Sequence, residues 1–241
     1  MSVPVPHTAM VLAAGLGTRM RPLTDTTPKP LLKVRGKALI DRLLDPLVAA
    51  GVQRIVVNSH YLADQIDAHV LARTDVKVVL SDERGEVLET GGAIAKARGL
   101  LGDDPIFVLN TDAFWAPESP EPFLSLAGAF DPAAEDERLL IADTQQALGF
   151  DGAGDFFLQG GDRLVRRGSA ESAPWAYAGV RIMTPTLYDG LAVERFSALK
   201  IWDELIPKGR LAGQRLDRFW LHVGDPKALA DAEMWIACHG G

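Results

Sequence analysis

Several features are absent or scarce in this sequence, and each absence excludes a class of protein. The chain contains one cysteine, Cys238, so an intramolecular disulfide is impossible and a reducing compartment is expected. We interpret Cys238 as a small side chain on the last helix and not as a catalytic thiol. Residues 1–7 lack the basic start and apolar run of a signal peptide. No apolar run approaches the ~20 residues of a transmembrane helix, so we expect a cytoplasmic protein with no membrane partner.

Basic residues are also scarce. The 241 residues include 25 Lys and Arg against 32 Asp and Glu, for a net charge of −7. A broad nucleic-acid surface is therefore not expected, although a phosphate pocket needs only a few well-placed cations. The composition, 47% hydrophobic and 24% charged, is that of a globular protein. We expect one domain over residues 1–241 that binds small molecules; no segment indicates an oligomeric state.

The N-terminal half alternates strand and helix patterns. Predicted strands cover 8–14, 54–58, 76–80 and 105–109, and predicted helices cover 37–50, 62–72 and 90–101. Such alternation predicts an α/β fold: a three-layer, Rossmann-like, mainly parallel sheet flanked by helices. In these sheets ligands bind outside the carboxyl ends of the strands. The loops after the first and fourth strands are therefore the first places to search for a site.

The second half is less regular. Predicted strands cover 138–143, 155–158, 163–165 and 175–183, and predicted helices cover 196–206 and 226–237. Four prolines indicate that part of 116–134 is loop. There is no internal repeat and no shift in composition that would mark a domain boundary. No hexapeptide repeat follows the last helix, so one reaction is expected.

A glycine loop follows the first predicted strand. Gly15 and Gly17 let the backbone turn tightly and expose N–H groups to phosphate oxygens, and Arg19 adds a fork of donors. The loop has neither the third glycine of G-x-G-x-x-G nor the lysine of G-x-x-x-x-G-K-[ST]. It is thus neither a usual dinucleotide site nor a P-loop. From the glycines alone, a simple turn with a surface arginine is equally compatible.

Lys29 stands between Pro28 and Pro30. The flanking prolines predict an extended, stiff segment. A lysine held in this way at the ligand edge of the sheet can present its ammonium to a phosphate. The alternative is a solvated lysine in a turn, and the nearby glycine loop favours the phosphate-binding interpretation.

The two segments together, L-A-A-G-L-G-T-R-M-R-P-L-T and P-K-P-L, resemble the signature of the sugar-phosphate nucleotidyltransferases. The resemblance implies the nucleotide-diphospho-sugar transferase fold, with a nucleotide-binding half over about 1–115 and a sugar-binding half over about 116–241. It implies that Arg19 binds the triphosphate and that Lys29 contacts phosphates at the reacting centre. The other nucleotide-binding residues that it implies are Leu12, Ala13, Ala14, Gly15, Gly17 and Thr18.

Asn110 and Asp112 follow the fourth predicted strand. A carboxylate at a strand's carboxyl end can hold Mg²⁺, with phosphates and waters as the remaining ligands. Asn110 can bind sugar or ribose hydroxyls. Alone, N-x-D is also typical of an Asx turn. The family has an acidic motif at this place, so the resemblance supports Asp112 as a ligand of Mg²⁺, the expected cofactor.

Two further segments resemble the short uridylyltransferases that act on N-acetylmuramate 1-phosphate. In L-E-T-G-G-A, the resemblance places Thr90 and Gly91 against the nucleobase, although a threonine-capped helix start is the alternative. In G-D-F and Y-A-G-V, it places Asp155 and Gly179 beside the sugar, although Asp155 alone is typical of a turn. This resemblance implies a role in peptidoglycan recycling.

The segment W-L-H-V-G-D-P resembles the family's W-x-D-V-G-T with two departures. His222 stands where the family often has a metal-binding aspartate, and Asp225 stands at the threonine position. Mg²⁺ prefers oxygen ligands, so either Asp112 holds the metal with phosphates and waters, or Asp225 joins it. If Asp225 does not join, His222 is expected near the metal as a hydrogen-bond donor or weak ligand. We prefer a third interpretation for Asp225, in which it caps a helix that begins at Pro226.

These observations predict a Mg²⁺-dependent enzyme in which Arg19, Lys29 and Asp112 are catalytic. It would transfer a nucleotidyl group from a nucleoside triphosphate, with UTP expected, to a sugar 1-phosphate, with N-acetylmuramate 1-phosphate expected. Mannose or glucose 1-phosphate with GTP, UTP or dTTP is the nearest alternative, and a non-catalytic sugar-nucleotide sensor is the second. A NAD-linked dehydrogenase is disfavoured, because Asn58 and His60 stand where an acidic residue would end the second strand.

Overall fold

The computed structural model describes residues 4–239. The strands are β1 (Thr8–Leu12), β2 (Lys33–Val34), β3 (Lys37–Ala38), β4 (Arg54–Ser59), β5 (Lys77–Asp82), β6 (Ile106–Asn110), β7 (Ala113–Ala116), β8 (Glu137–Asp143), β9 (Ala147–Leu148), β10 (Phe156–Gln159), β11 (Arg163–Arg166), β12 (Trp175–Met183), β13 (Leu211–Arg215) and β14 (Phe219–His222). The α-helices are α1 (Asp41–Ala49), α2 (Ala63–Leu71), α3 (Glu89–Leu101), α4 (Glu121–Ala129), α5 (Leu199–Leu205) and α6 (Pro226–His239).

Within this part of the chain, nine strands form one sheet in the order β10-β11-β13-β8-β12-β6-β1-β4-β5. The N-terminal strands β5, β4, β1 and β6 are parallel, as their alternation with helices predicts. Strand β12 joins β6 and β8 in antiparallel orientation, and β13 pairs with β8 in parallel. The glycine loop therefore follows a strand of the four-stranded parallel part of the sheet.

Helices cover both faces of the sheet. Met10, Val56 and Val108 face the layer that contains α3 and α5. Val11 and Val57 face the opposite layer, to which α1, α2, α4 and α6 contribute. Because these strands are buried on both faces, they are apolar throughout and show no alternation. The arrangement confirms the predicted three-layer α/β class.

The predicted helix over 37–50 begins later than expected. Residues 33–38 form a small hairpin of β2 and β3, with Arg35 (φ 50°) and Gly36 (φ 79°) in left-handed conformation at the turn. Helix α1 begins at Asp41 and continues past the buried Pro46 to Ala49, and Gly51 follows with φ 110°. The turn residues, not the apolar spacing, thus decide where this helix begins.

The second half contains elements that the sequence pattern did not predict. Strands β7, β14 and β9 form a separate three-stranded sheet in that order, and β13 extends the large sheet. Strand β7 pairs with β14 so that Ala113 lies opposite His222. This register brings the end of β14 beside Asp112. No helix among residues 4–239 is long and apolar enough to cross a membrane.

Candidate active site

A cavity of about 460 Å³ opens at the carboxyl end of β1. In the sheet register Leu12 lies opposite both Asn58 of β4 and Asn110 of β6, so three strands end at one level and their loops surround the cavity. The predicted site residues that line it are Leu12, Ala14, Gly15, Gly17, Thr18, Arg19, Lys29, Thr90, Asn110 and Asp112. The structure thus brings together the three side chains predicted to be catalytic.

The glycine loop is fixed by close packing at Gly17. This residue has φ 63° and precedes a 3₁₀ turn over Thr18–Met20. A Cβ built on Gly17 would lie 3.0 Å from the Cγ2 atom of Thr24 and 3.3 Å from the Cβ atom of Lys29. The Thr24 hydroxyl also donates a hydrogen bond of 2.8 Å to the Gly17 carbonyl. Glycine is therefore required here by both conformation and space.

A series of buried hydrogen bonds connects the segment before the glycine loop to strand β4 and to Glu83. The Ala13 N–H donates to the Asn58 side-chain oxygen at 2.7 Å, and Ala13 does not line the cavity. The Asn58 amide donates in turn to Glu83 at 2.9 Å. Burial raises the pKa of the Glu83 carboxyl despite this hydrogen bond. Asn58 and Glu83 line the cavity, although the sequence motifs do not indicate either residue. The feature of the sequence that could have indicated Asn58 is its position directly after the apolar residues of β4.

Lys29 and Asp112 line the cavity and are in direct contact. The Lys29 Nζ atom lies 3.0 Å from an Asp112 carboxylate oxygen, and their side chains are 13% and 28% exposed. Burial alone would raise the pKa of Asp112, but electrostatic interactions with Lys29, His222 and Arg19 and the Lys29 hydrogen bond outweigh it. The pKa of Asp112 therefore lies below its ordinary value, and the carboxyl is ionised at neutral pH.

The segment around Lys29 is a turn and is not extended as predicted. Pro28 has an extended conformation, but Lys29–Leu31 forms a 3₁₀ turn. The Leu31 N–H donates to the Pro28 carbonyl at 2.9 Å, and the Leu32 N–H donates to the Lys29 carbonyl at 3.1 Å. Pro30 lacks an N–H but its fixed φ fits such a turn. The stiffness expected from the two prolines is thus supplied by a hydrogen-bonded turn.

His222 and Asp225 occupy different positions relative to Asp112. The His222 Nε2 atom lies 3.9 Å from the Asp112 carboxylate, and its Nδ1 atom lies 3.1 Å from the Gly149 carbonyl oxygen. The Asp225 carboxylate accepts a hydrogen bond of 2.9 Å from the Ala228 N–H, and this bond lowers its pKa. Asp225 therefore caps α6, as the preferred interpretation expected.

The residues around Asp112 fit a magnesium ion that retains most of its non-protein ligands. No group of three or more His, Cys, Asp and Glu side chains suited to a metal occurs in the described part of the chain. The ionised Asp112 carboxylate, which lines the cavity, matches the preference of Mg²⁺ for one or two carboxylates with phosphates and waters. Asp112 provides that carboxylate.

A second cavity of about 220 Å³ adjoins the first. Thr90, Asn110 and Ser197 line both cavities. Asp155 lines the second cavity, where its carboxylate accepts a hydrogen bond of 2.9 Å from the Tyr177 N–H. Gly179, with φ 91°, lines neither; a Cβ there would lie 3.7 Å from that of Asn110. Gly179 thus packs behind Asn110.

The start of α3 shows why two glycines follow Thr90. The Gly91 and Gly92 N–H groups donate to the Phe196 carbonyl at 2.9 and 3.1 Å. A Cβ on Gly91 would lie 2.3 Å from the Phe196 ring. The bare backbone therefore packs against the segment before α5, and Gly91 does not line the cavity. Thr90 does line it, and its hydroxyl oxygen accepts the Ala198 N–H at 2.9 Å.

Comparisons with known proteins agree with this geometry. The nucleotidyl transferase family model matches residues 8–149. The N-acetylmuramate alpha-1-phosphate uridylyltransferase of Caulobacter vibrioides is 47% identical over 96% of this chain and 98% of its own length. The Neisseria meningitidis enzyme of the same name is 36% identical over 93% and 96%. The inositol-1-phosphate CTP transferase of T. maritima, 16% identical, has the same fold, with a TM-score of 0.78 over 96% of this chain and 98% of its own. The chain therefore belongs to the nucleotidyl transferase family, as its glycine loop and P-K-P-L segment predict.

Proposed function

We propose that this protein transfers a uridylyl group from UTP to N-acetylmuramate 1-phosphate and depends on Mg²⁺. The observation that carries the proposal is the convergence of Arg19, Lys29 and Asp112 on one cavity at the carboxyl edge of the sheet. The extent and identity of the match to the two uridylyltransferases support the choice of base and sugar. The closely packed glycine loop supports a triphosphate site, because its backbone approaches the cavity without side chains.

The proposed reaction is an in-line displacement at the α-phosphorus. A phosphate oxygen of the sugar phosphate forms a bond to that phosphorus, and the bond to the bridging oxygen of the β-phosphate breaks. Pyrophosphate leaves with the electron pair. The attacking oxygen is already anionic near neutral pH, so no general base is required. The protein contributes positioning and charge neutralisation.

Each charged side chain has a distinct part in this proposal. The Lys29 ammonium neutralises charge near the α-phosphate. The Arg19 guanidinium and the Gly15–Gly17 backbone hold the leaving pyrophosphate. Asp112 holds Mg²⁺, which when bound supplies further neutralisation of phosphate charge. Asp225 is not proposed as a ligand, because its carboxylate caps α6. His222 is proposed to lie beside the Mg²⁺ site, with its Nε2 atom towards the Asp112 carboxylate.

In this proposal the first cavity binds the nucleotide and the second binds the sugar, and residues from both halves of the chain line the second cavity. Leu12, Thr90 and the glycine loop would contact the nucleotide, in the half over about 1–115. Asn110 and Asp155 would bind sugar hydroxyls, with Gly179 supporting Asn110 from behind. Because nucleoside triphosphates are cytoplasmic and N-acetylmuramate is a peptidoglycan component, we infer a cytoplasmic role in peptidoglycan recycling.

Pyrophosphate release from a substrate panel tests the proposal. The panel combines UTP, GTP, dTTP, ATP and CTP with N-acetylmuramate, N-acetylglucosamine, glucose and mannose 1-phosphates, with and without Mg²⁺. We expect the highest kcat/KM for UTP with N-acetylmuramate 1-phosphate and no turnover in EDTA. A preference for GTP with mannose 1-phosphate would replace the proposed substrates. Nucleotide binding without pyrophosphate release from any pair would identify a sensor and contradict an enzyme.

A further inference from the structure

The second cavity holds more positive charge than the binding of neutral sugar hydroxyls requires. Two arginines, Arg166 and Arg181, line it together with one carboxylate, Asp155. The carboxylates that pair with the arginines, Asp203 and Glu137, are not among the described residues that line the cavity. Asp155 is therefore the one carboxylate among the described residues that line this cavity.

Arg181 and Asp155 already have partners within the protein. Arg181 is 1% exposed, and its Nε atom lies 2.5 Å from Glu137. Its Nη1 atom lies 3.3 Å from the Tyr177 hydroxyl oxygen. Asp155 is held by the Tyr177 N–H at 2.9 Å. These groups build the cavity wall, and their hydrogen bonds fix the bulged strand β12 beside the sugar site.

Arg166 is placed differently, at the accessible side of the cavity. Its guanidinium lies over the rings of Phe156 and Trp202, 5.1 and 5.6 Å from their centroids. Its Nε donates to Asp203 at 2.9 Å, and its Nη2 donates to the Leu199 carbonyl at 3.3 Å. Its Nη1 has no hydrogen-bond partner among residues 4–239. Two aromatic faces and two bonds thus hold a charged donor in position, so little entropy is lost when an anion binds.

We propose that Arg166 is a specificity-determining residue that binds a carboxylate carried by the sugar of the sugar 1-phosphate. This inference rests on the proposed function, because N-acetylmuramate differs from N-acetylglucosamine by a lactyl ether whose carboxylate is ionised at neutral pH. The phosphate and the ring of the two sugars are otherwise alike. The Arg166 guanidinium would form an ion-paired hydrogen bond with the lactyl carboxylate through Nη1, and the neutral sugar has no anionic group at this place to pair with it.

Substitution of Arg166 separates recognition of the acid from nucleotidyl transfer. In the full-length protein with UTP and Mg²⁺, we expect R166Q to lower kcat/KM for N-acetylmuramate 1-phosphate by about 10- to 100-fold and to leave that for N-acetylglucosamine 1-phosphate within about threefold, since one bond to a charged group is lost. R166K should fall between, because it keeps the charge and loses the planar fork. An equal fall on both sugars, or no fall on either, overturns the proposal.

Two variants serve as controls. R215Q removes an arginine that lies over the Trp175 ring at 5.0 Å but lines neither cavity, so both sugars should be used as by the wild type. D203N removes the charge that pairs with Arg166 and keeps the guanidinium; if it reproduces the loss seen in R166Q, Arg166 acts through that ion pair and the proposal fails. If the wild type turns over neither sugar phosphate, the proposed function fails as well.

Discussion

At the scale of single residues, the central feature is the contact between Lys29 and Asp112. The two groups carry opposite charges 3.0 Å apart in the first cavity, and Arg19 lines the same cavity. A lone ammonium at this place would attract any anion. The adjacent carboxylate instead favours a ligand that brings its own cation, and a nucleoside triphosphate with Mg²⁺ is such a ligand.

Removal of the ammonium should therefore affect the transition state strongly. We expect Lys29→Ala to lower kcat about 10²- to 10³-fold, the scale of one lost electrostatic stabiliser. Pyrophosphate release at saturating UTP, sugar phosphate and Mg²⁺ measures this loss. Lys33→Ala is the matched control, because Lys33 is exposed on β2 and outside the cavity. Near-normal turnover by Lys29→Ala would exclude the proposed role.

Small residues show what a sequence can and cannot indicate at this scale. Ala13 and Gly91 belong to motifs that resemble nucleotide-binding segments, yet Ala13 bonds to Asn58 and Gly91 packs on Phe196. A close approach requires a small residue whether the neighbour is a ligand or the protein itself. Gly17 and Thr18, in contrast, do line the cavity. Sequence patterns thus indicate where another group packs closely on the backbone, but not whether that group belongs to a ligand or to the protein.

At the scale of elements, the cap of α6 separates two roles of Asp225. Asparagine caps a helix about as well as aspartate does, whereas alanine does not. We expect Asp225→Ala to lower the urea midpoint of unfolding, and Asp225→Asn to retain it, because Asn can still accept the Ala228 N–H. Both variants should need the same Mg²⁺ concentration for half-maximal activity as the wild type.

The comparison of the two variants makes the test selective. A structural cap predicts that stability follows the hydrogen-bond acceptor and that the Mg²⁺ requirement does not change. A metal ligand predicts that the Mg²⁺ requirement rises in Asp225→Asn, since Asn keeps the cap and loses the charge. If Asp225→Asn had wild-type stability but a markedly raised Mg²⁺ requirement, Asp225 would belong to the metal site.

Elements with local signals were predictable, and elements that depend on distant partners were not. Strands β1, β4 and β6 are apolar runs because both faces are buried, and α3 and α6 begin and end close to the expected positions. Strands β7 and β14 have four residues each and pair across the chain, with Ala113 opposite His222. Neither shows alternation, since the small sheet is mostly buried. The position of His222 beside Asp112 follows from this pairing, which the local pattern did not predict.

At the scale of the whole molecule, the two halves of the chain, over about 1–115 and 116–241, share one sheet and one core. Strand β6 of the first half pairs with β12 of the second. One hydrophobic cluster includes Ala9 and Ile55 from the first half and Val180 and Trp220 from the second. If the halves separated, an apolar face and a strand edge would be exposed to water, and both are unfavourable. The halves are therefore expected to unfold together.

Two spectroscopic probes can test this cooperativity. The five tryptophans lie at or beyond residue 115, so their fluorescence reports mainly on the second half, whereas far-ultraviolet circular dichroism reports on helices of both. In urea we expect the two transitions to coincide, and we expect UTP with Mg²⁺ to shift both midpoints upward by the same amount, because a ligand that binds the folded state stabilises the whole cooperative unit. A dichroism change without a fluorescence change would reveal independent unfolding of the half over about 1–115. In that case the shared sheet would not be the structure that holds the glycine loop next to the second cavity.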